Sequence, residues 1–190
     1  MASASAGDYK DTLAEALHCF ECCKDKDVQE FLNSKAIDFE TRGWATTYLL
    51  LSQDAFENGK LKIEGYFSLT HKAVVFGEDV SLSARNKLTG SKKSKTESFV
   101  LIGQLGKSIS HNDDGTCCAS ELSAKELLDD AIRIIQQSSN YIISRNVIIE
   151  CKPIPKIKNI YETYGFTDLQ YDDEDQLHTL YLRLDNPITF

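Results

Sequence analysis

The stretch from Ser98 to Cys151 constrains the fold of this chain more than any other. Ser98–Leu105 (SFVLIGQL) and Asn146–Cys151 (NVIIEC) are short apolar runs bounded by polar residues, the pattern of strands buried within a sheet. Between them Leu127, Leu128, Ala131, Ile134 and Ile135 recur at helical spacing. Ser123 and Glu126 stand just before that stripe as S-x-x-E, a capping box in which each side chain satisfies the other residue's backbone N–H. Strand, capped helix and strand predict a crossover, and a crossover joins parallel strands.

The flanks add antiparallel strands and further helices. Residues 8–39 read as two helices, one carrying Leu13, Ala16, Leu17 and Phe20, the other Val28, Phe31, Leu32 and Phe39 with Asp27 as its N-cap. Trp44–Ser52 (WATTYLLLS) reads as a strand. The turn Glu57-Asn58-Gly59 then leads into Leu61–Phe76, where Ile63, Gly65, Phe67, Leu69 and His71 alternate, so a hairpin is expected. Residues 79–88 read as a polar helix, and residues 108–118, with Asn112-Asp113-Asp114-Gly115, as a polar loop. After Cys151 a short helix starts at Pro155 and stops at Gly165 as its C′ residue, and Leu177–Leu184 closes the chain as an alternating strand. The fold class is therefore mixed α/β, or α+β: one sheet, antiparallel in its first half and parallel with splayed strands in its second, flanked by helices. No repeat or linker divides the chain, so residues 1–190 are expected to form a single domain, with residues 1–7 a disordered flank.

Composition narrows the class. Three prolines and ten glycines in 190 residues exclude collagen-like and low-complexity chains. No apolar run approaches the ~18 residues that a membrane span needs, and the first residues lack the apolar core of a secretory signal. A soluble, cytoplasmic protein is expected. Its formal charge of −8, from 21 basic and 29 acidic residues, disfavours broad nucleic-acid binding. The basic cluster Lys87, Lys92, Lys93 and Lys95 sits in a Gly/Ser-rich stretch and reads as a solvated, mobile loop. The six cysteines read as free thiols. His18, Cys19, Cys22 and Cys23 lack the second ligand pair of a structural zinc site, Cys117-Cys118 lies far off in sequence, and Cys151 reads as a small buried hydrophobe. No metal is expected.

A polar loop running into a capped helix is a ready anion site, because the unpaired N–H groups of the first turn point into the loop. Here that turn is Leu122-Ser123-Ala124-Lys125, whose alternative reading is a helix cap and nothing more.

Three segments then point to a family. Phe99–Lys107 (FVLIGQLGK), the capped helix with Leu127-Leu128, and Ile160-Tyr-Glu-Thr-Tyr-Gly-Phe166 together resemble the GNAT family of acetyl-CoA-dependent N-acetyltransferases. The nearest resemblance is to the small GNAT proteins of bacteria and their mobile elements. The last segment is the most specific: Tyr161, Gly165 and Phe166 match the family's Y-x-x-x-G-F at the end of a helix. The resemblance covers residues 40–184 and implies acetyl-CoA as co-substrate, with no metal. It places the pantetheine arm against backbone groups of Leu105, Gly106 and Lys107, and the pyrophosphate at Leu122, Ser123, Ala124 and Lys125. Tyr161 becomes the general acid that protonates the leaving thiolate, and a primary amine, on a small molecule or a protein, becomes the acceptor. Some family members of this size are toxins that act on aminoacyl-tRNA.

The pattern also departs from the family. Its pyrophosphate loop, Q/R-x-x-G-x-G/A, falls on Ala119, Leu122 and Ala124, and only the last small residue is kept. Leu122 in place of glycine limits how closely a phosphate approaches. Asp113 and Asp114 in the loop repel one, and the Asn common seven residues before the tyrosine is Ile154. A non-catalytic binding or regulatory module on the same scaffold is therefore the alternative. His71, Glu64 and Glu150 are candidate bases without a pattern that selects among them, and Tyr164 reads as packing. The strand at 177–184, taken as a sheet edge, offers a route to a homodimer.

Overall fold

In the computed structural model, residues 6–112, 114, 116–138 and 145–184 are described; Met1–Ser5, Asp113 and Gly115, named above, lie outside them. The first helix, α1 (Ala6–His18), starts two residues before the predicted boundary, so residues 6 and 7 extend it. The next begins at α2 (Lys26–Glu30), where Asp25 and not Asp27 is the cap. Asp25 is extended (φ −143°, ψ 101°) and its carboxylate accepts from Asp27 N at 3.1 Å and Val28 N at 3.3 Å. A π turn, Phe31–Lys35, carries the helix on into α3 (Ala36–Thr41) and turns both Phe31 and Leu32 inward. The strands are β1 (Thr46–Leu51), β2 (Ile63–Val75) and β3 (Thr96–Lys107). Their connections are not tight: the one-turn α4 (Gln53–Glu57), capped by Ser52, precedes the predicted turn, where Gly59 takes φ 71° and Ser52 N donates to Lys62 O at 2.9 Å, and α5 (Leu82–Thr89) stops at Gly90 with φ 76°.

The predicted polar loop at 108–118 is instead a small hairpin, β4 (Ile109–His111) against β5 (Cys117–Ala119). Each strand is only three residues long, too short for an alternation to show, so sequence pattern does not mark them. Then come α6 (Ala124–Ser138), β6 (Asn146–Cys151), α7 (Pro155–Tyr164), β7 (Thr167–Asp172) and β8 (Leu177–Arg183). The main sheet has the order β1-β2-β3-β6-β8-β7. Its parallel part is the pair β3·β6, in register at Val100↔Val147, Leu101↔Ile148 and Ile102↔Ile149. β8 is not an edge. It pairs antiparallel with β6 on one side and with β7 on the other, which removes the predicted route to a dimer through residues 177–184.

The chain divides into two compact units: residues up to Ser68 with Gln104–Leu127, and Leu69–Gly103 with the residues from Leu128 on. In the first, Ala16, Leu17, Phe20, Phe31, Leu32, Ile63 and Tyr66 form the core. The Tyr66 ring meets Phe20 edge-on at 5.4 Å and stacks on Phe31 at 6.2 Å, and its hydroxyl donates to Val28 O at 2.6 Å. In the second unit Val74, Phe76, Val80, Leu88, Phe99, Ile148, Leu169 and Tyr181 form the core. Among the described residues no helix is long and apolar enough to cross a membrane.

Candidate functional site

The capping box before α6 forms as its spacing predicts. Ser123 N and Oγ each donate to Glu126 Oε2 at 2.7 Å, and Glu126 N donates to Ser123 Oγ at 3.1 Å. The Glu126 carboxylate therefore sits at the positive end of the helix, where an external anion would also bind. The segment leading into it is tied down by Lys107, at the end of β3, whose ammonium donates to Ser120 O at 3.2 Å and Leu122 O at 2.9 Å. Ser120 Oγ donates to Glu64 O at 3.0 Å, and Ser120 N to Ser108 O at 2.9 Å. Within the first unit the structure thus brings Lys107 to the segment carrying Leu122–Lys125.

Two glycines allow these elements to approach. A Cβ on Gly65 would lie 2.5 Å from Leu122 Cδ2, so the Leu122 side chain is seated on the bare backbone of β2. A Cβ on Gly106 would lie 2.3 Å from Val28 Cγ1, so α2 rests directly on β3 beside Leu105 and Lys107. Leu122 is therefore a packing residue of this unit. Asp114, an acidic residue expected to repel a phosphate, turns back on its own loop. Its carboxylate accepts from Thr116 Oγ1 at 2.6 Å and Thr116 N at 2.9 Å, which holds it below the usual carboxylate range.

Tyr161 belongs to the second unit, in the last turn of α7. Its carbonyl accepts from Gly165 N at 3.1 Å and Phe166 N at 3.0 Å, and its ring meets the buried Phe166 at 6.1 Å. This is the physical content of Y-x-x-x-G-F: glycine takes φ 120° to close the helix, and phenylalanine anchors the ring that precedes it. Tyr164, read as packing, donates from its hydroxyl to Asp129 Oδ1 at 2.9 Å. Burial, and then that carboxylate, raise its phenol above the ordinary value. Of the candidate bases, Glu150 is held by Lys72 Nζ at 2.7 and 2.8 Å, His71 is exposed on β2, and Glu64 contributes its carbonyl to Ser108 and Ser120. Cys151 is buried, as expected, and burial pushes its thiol up.

One charged cluster has no counterpart in the sequence reading. Asp168 on β7 accepts from Lys158 Nζ at 2.5 Å and lies 3.2 Å from His178 Nδ1. Lys158, Glu162 and His178, with Pro153, Pro155, Lys156 and Asn159, line an open groove of about 600 Å³ in the second unit. Lys158 and Glu162 share a helix face by spacing, but nothing local in the sequence ties them to Asp168 or His178. Among the described residues no three His, Cys, Asp or Glu side chains group as a metal site.

No protein-family model and no curated protein sequence matches the chain. Solved structures do. AtaT complexed with acetyl-methionyl-tRNAfMet is 18% identical, with a TM-score of 0.65 over 88% of this chain and 86% of that one. AtaTR bound with AcCoA is 17% identical, with a TM-score of 0.62 over 88% and 86%. A further bacterial toxin is 15% identical, with a TM-score of 0.66 over 89% and 83%. These likenesses establish the fold: the mixed sheet with its flanking helices is shared with these structures.

Proposed function

We propose that this chain is an acetyl-CoA-dependent N-acetyltransferase that moves the acetyl group to a primary amine by direct attack, with Tyr161 as general acid. The observation that carries the reading is the fold shared with AtaTR, a structure bound with AcCoA. Acetyl-CoA supplies the acyl group as a thioester. Backbone groups of Leu105, Gly106 and Lys107 hold its pantetheine arm, and the α6 N-terminus, from Leu122 through Ser123, Ala124 and Lys125, holds its pyrophosphate. The residues fit that role in part. Lys107 fixes the segment, and Leu122 turns its side chain onto Gly65, whereas the Glu126 carboxylate must yield to the incoming anion. The Tyr161 phenol gives its proton to the departing thiolate, a role suited to a group that is protonated at neutral pH and can stabilise a developing anion. The amine loses its proton to water or to a side chain of the acceptor pocket. In this reading residues 1–190 act as one catalytic domain in the cytoplasm. AtaT, of the same fold, is solved with acetyl-methionyl-tRNAfMet, so an aminoacyl-tRNA amine is an acceptor to assay beside small-molecule and protein amines.

A second reading, a non-catalytic binding or regulatory module, is favoured by one observation: Glu126 already supplies the negative charge that the α6 N-terminus attracts. Calorimetric titration with acetyl-CoA, with CoA for comparison, separates the two. Saturable micromolar binding is expected for the enzyme, and acetyl transfer to one of the amine classes completes the case. Absence of binding at millimolar acetyl-CoA, in the native chain and in Leu122→Gly alike, leaves the non-catalytic module.

A further inference from the structure

Cys23 and Cys117 are 94 residues apart in sequence, yet their sulfurs lie 3.3 Å apart. We propose that this pair is a reversible disulfide site, closed by a low-molecular-weight disulfide and opened by a thiol, that clamps the α1–α2 connection to β5. A disulfide bond is ~2.05 Å long, so closing the pair calls for a small side-chain movement and not a rearrangement. Both carriers are already pinned. Cys22 forms a bridge to Ile109 of β4, Cys23 N donates to Ile109 O at 3.0 Å, and Ile109 N donates to Glu21 O at 2.8 Å. Cys117 sits opposite His111 in the β4·β5 ladder. Holding both backbones beforehand leaves little conformational entropy to lose on closure.

The neighbouring cysteines are placed differently. Cys22 is buried, and Cys118, next along β5, projects to the opposite face of the strand from Cys117. Cys117 is exposed and can meet an oxidant, while Cys23 is half-buried. The hydrogen bond to Cys117 raises the Cys23 thiol above its ordinary value, which suits Cys23 to the second step. In the first step the Cys117 thiolate attacks one sulfur of the small disulfide and expels the other as thiolate. Cys23 then gives up its proton, and its sulfur attacks Cys117 Sγ and expels the second small thiolate. Two protein thiols are oxidised and one small disulfide is reduced to two thiols, the protons passing to the released thiolates.

The full chain, equilibrated in glutathione–glutathione disulfide buffers, alkylated and mapped by mass spectrometry, tests this. The expected product is a monomer in which the Cys23 and Cys117 peptides are cross-linked. Its thermal midpoint should rise by roughly 5–10 °C and return on reduction with dithiothreitol. Cys118→Ser and Cys19→Ser should keep both signals, and Cys117→Ser should lose both while retaining the fold by circular dichroism. Lasting glutathione adducts on Cys117 with no cross-link, or cross-links dominated by Cys118 or Cys19, would overturn the proposal.

Discussion

Gly106 is where a single methyl group tells most about the candidate site. An alanine there would place its Cβ 2.3 Å from Val28 Cγ1, well inside contact, and the two carriers are a helix and a strand that cannot both give way. Gly106→Ala should lower stability by about 1–3 kcal/mol, read as a fall in the urea midpoint. Adding Val28→Ala should recover much of the loss, giving a double-mutant cycle of non-zero coupling. Strict additivity would show that Val28 is not what the new methyl meets. Tyr161 is the other informative residue. Tyr161→Phe keeps the ring on Phe166 and removes the hydroxyl, so acetyl-CoA affinity should stay constant while turnover drops by about 10²-fold or more. A Phe variant with full turnover would sink the general-acid role. Tyr164→Phe, whose hydroxyl is engaged by Asp129, should leave turnover near that of the native chain.

At the scale of elements, the start of α6 sets cap against cofactor. Glu126 accepts from Ser123 N and Oγ, so Glu126→Gln keeps an acceptor in place and removes the charge. Stability should fall by about 0.3–1 kcal/mol, the usual worth of a charge at a helix end. If the proposed site is real, acetyl-CoA should bind several-fold more tightly by calorimetry, and unchanged affinity would mean that the carboxylate does not face the pyrophosphate. This helix was legible in the sequence because a capping box and an apolar stripe are local signals, and the end of α7 was legible for the same reason. β7 was not. Of its six residues, TDLQYD, only Leu169 is buried, and the strand exists because β8 offers it a partner. The β4·β5 hairpin, with three residues in each strand, is too short to show a pattern and equally dependent on pairing. The Asp25 cap lay two residues from the one expected, because either aspartate fits the pattern and only backbone angles choose between them. The site divides in the same way. Tyr161, Gly165 and Phe166 stood in one motif, whereas the Lys107 tether and the Lys158–Asp168–His178 cluster join residues that only folding brings together.

For the whole molecule, the displaced pKa values point largely one way. Cys22 and Cys151 are raised by burial, Cys23 by its hydrogen bond to Cys117, Tyr66 and Tyr164 by burial, and Lys158 by its hydrogen bond to Asp168. A group whose folded pKa lies above its unfolded one stabilises the fold fully below the unfolded value and loses that contribution as pH rises. Between the two values the folded chain holds more protons than the unfolded chain, so stability falls with pH. The fall should begin near 9.0, the ordinary value for the thiols, and steepen past 10.0, that of the phenols. Tyr66 has the plainest cause: it is fully buried and its hydroxyl is bonded to Val28 O, so deprotonating it places an unsolvated charge in the core. One proton retained by the folded state gives a slope of about 1.4 kcal/mol per pH unit. Tyr66→Phe should therefore cost about 1 kcal/mol at neutral pH, where it loses the hydrogen bond, and flatten the alkaline limb above pH ~10 by that slope. The two stability curves, measured by urea denaturation from neutral to alkaline pH, should cross near pH ~11. Curves that stay parallel would mean that the buried phenol does not set the alkaline limit of this fold.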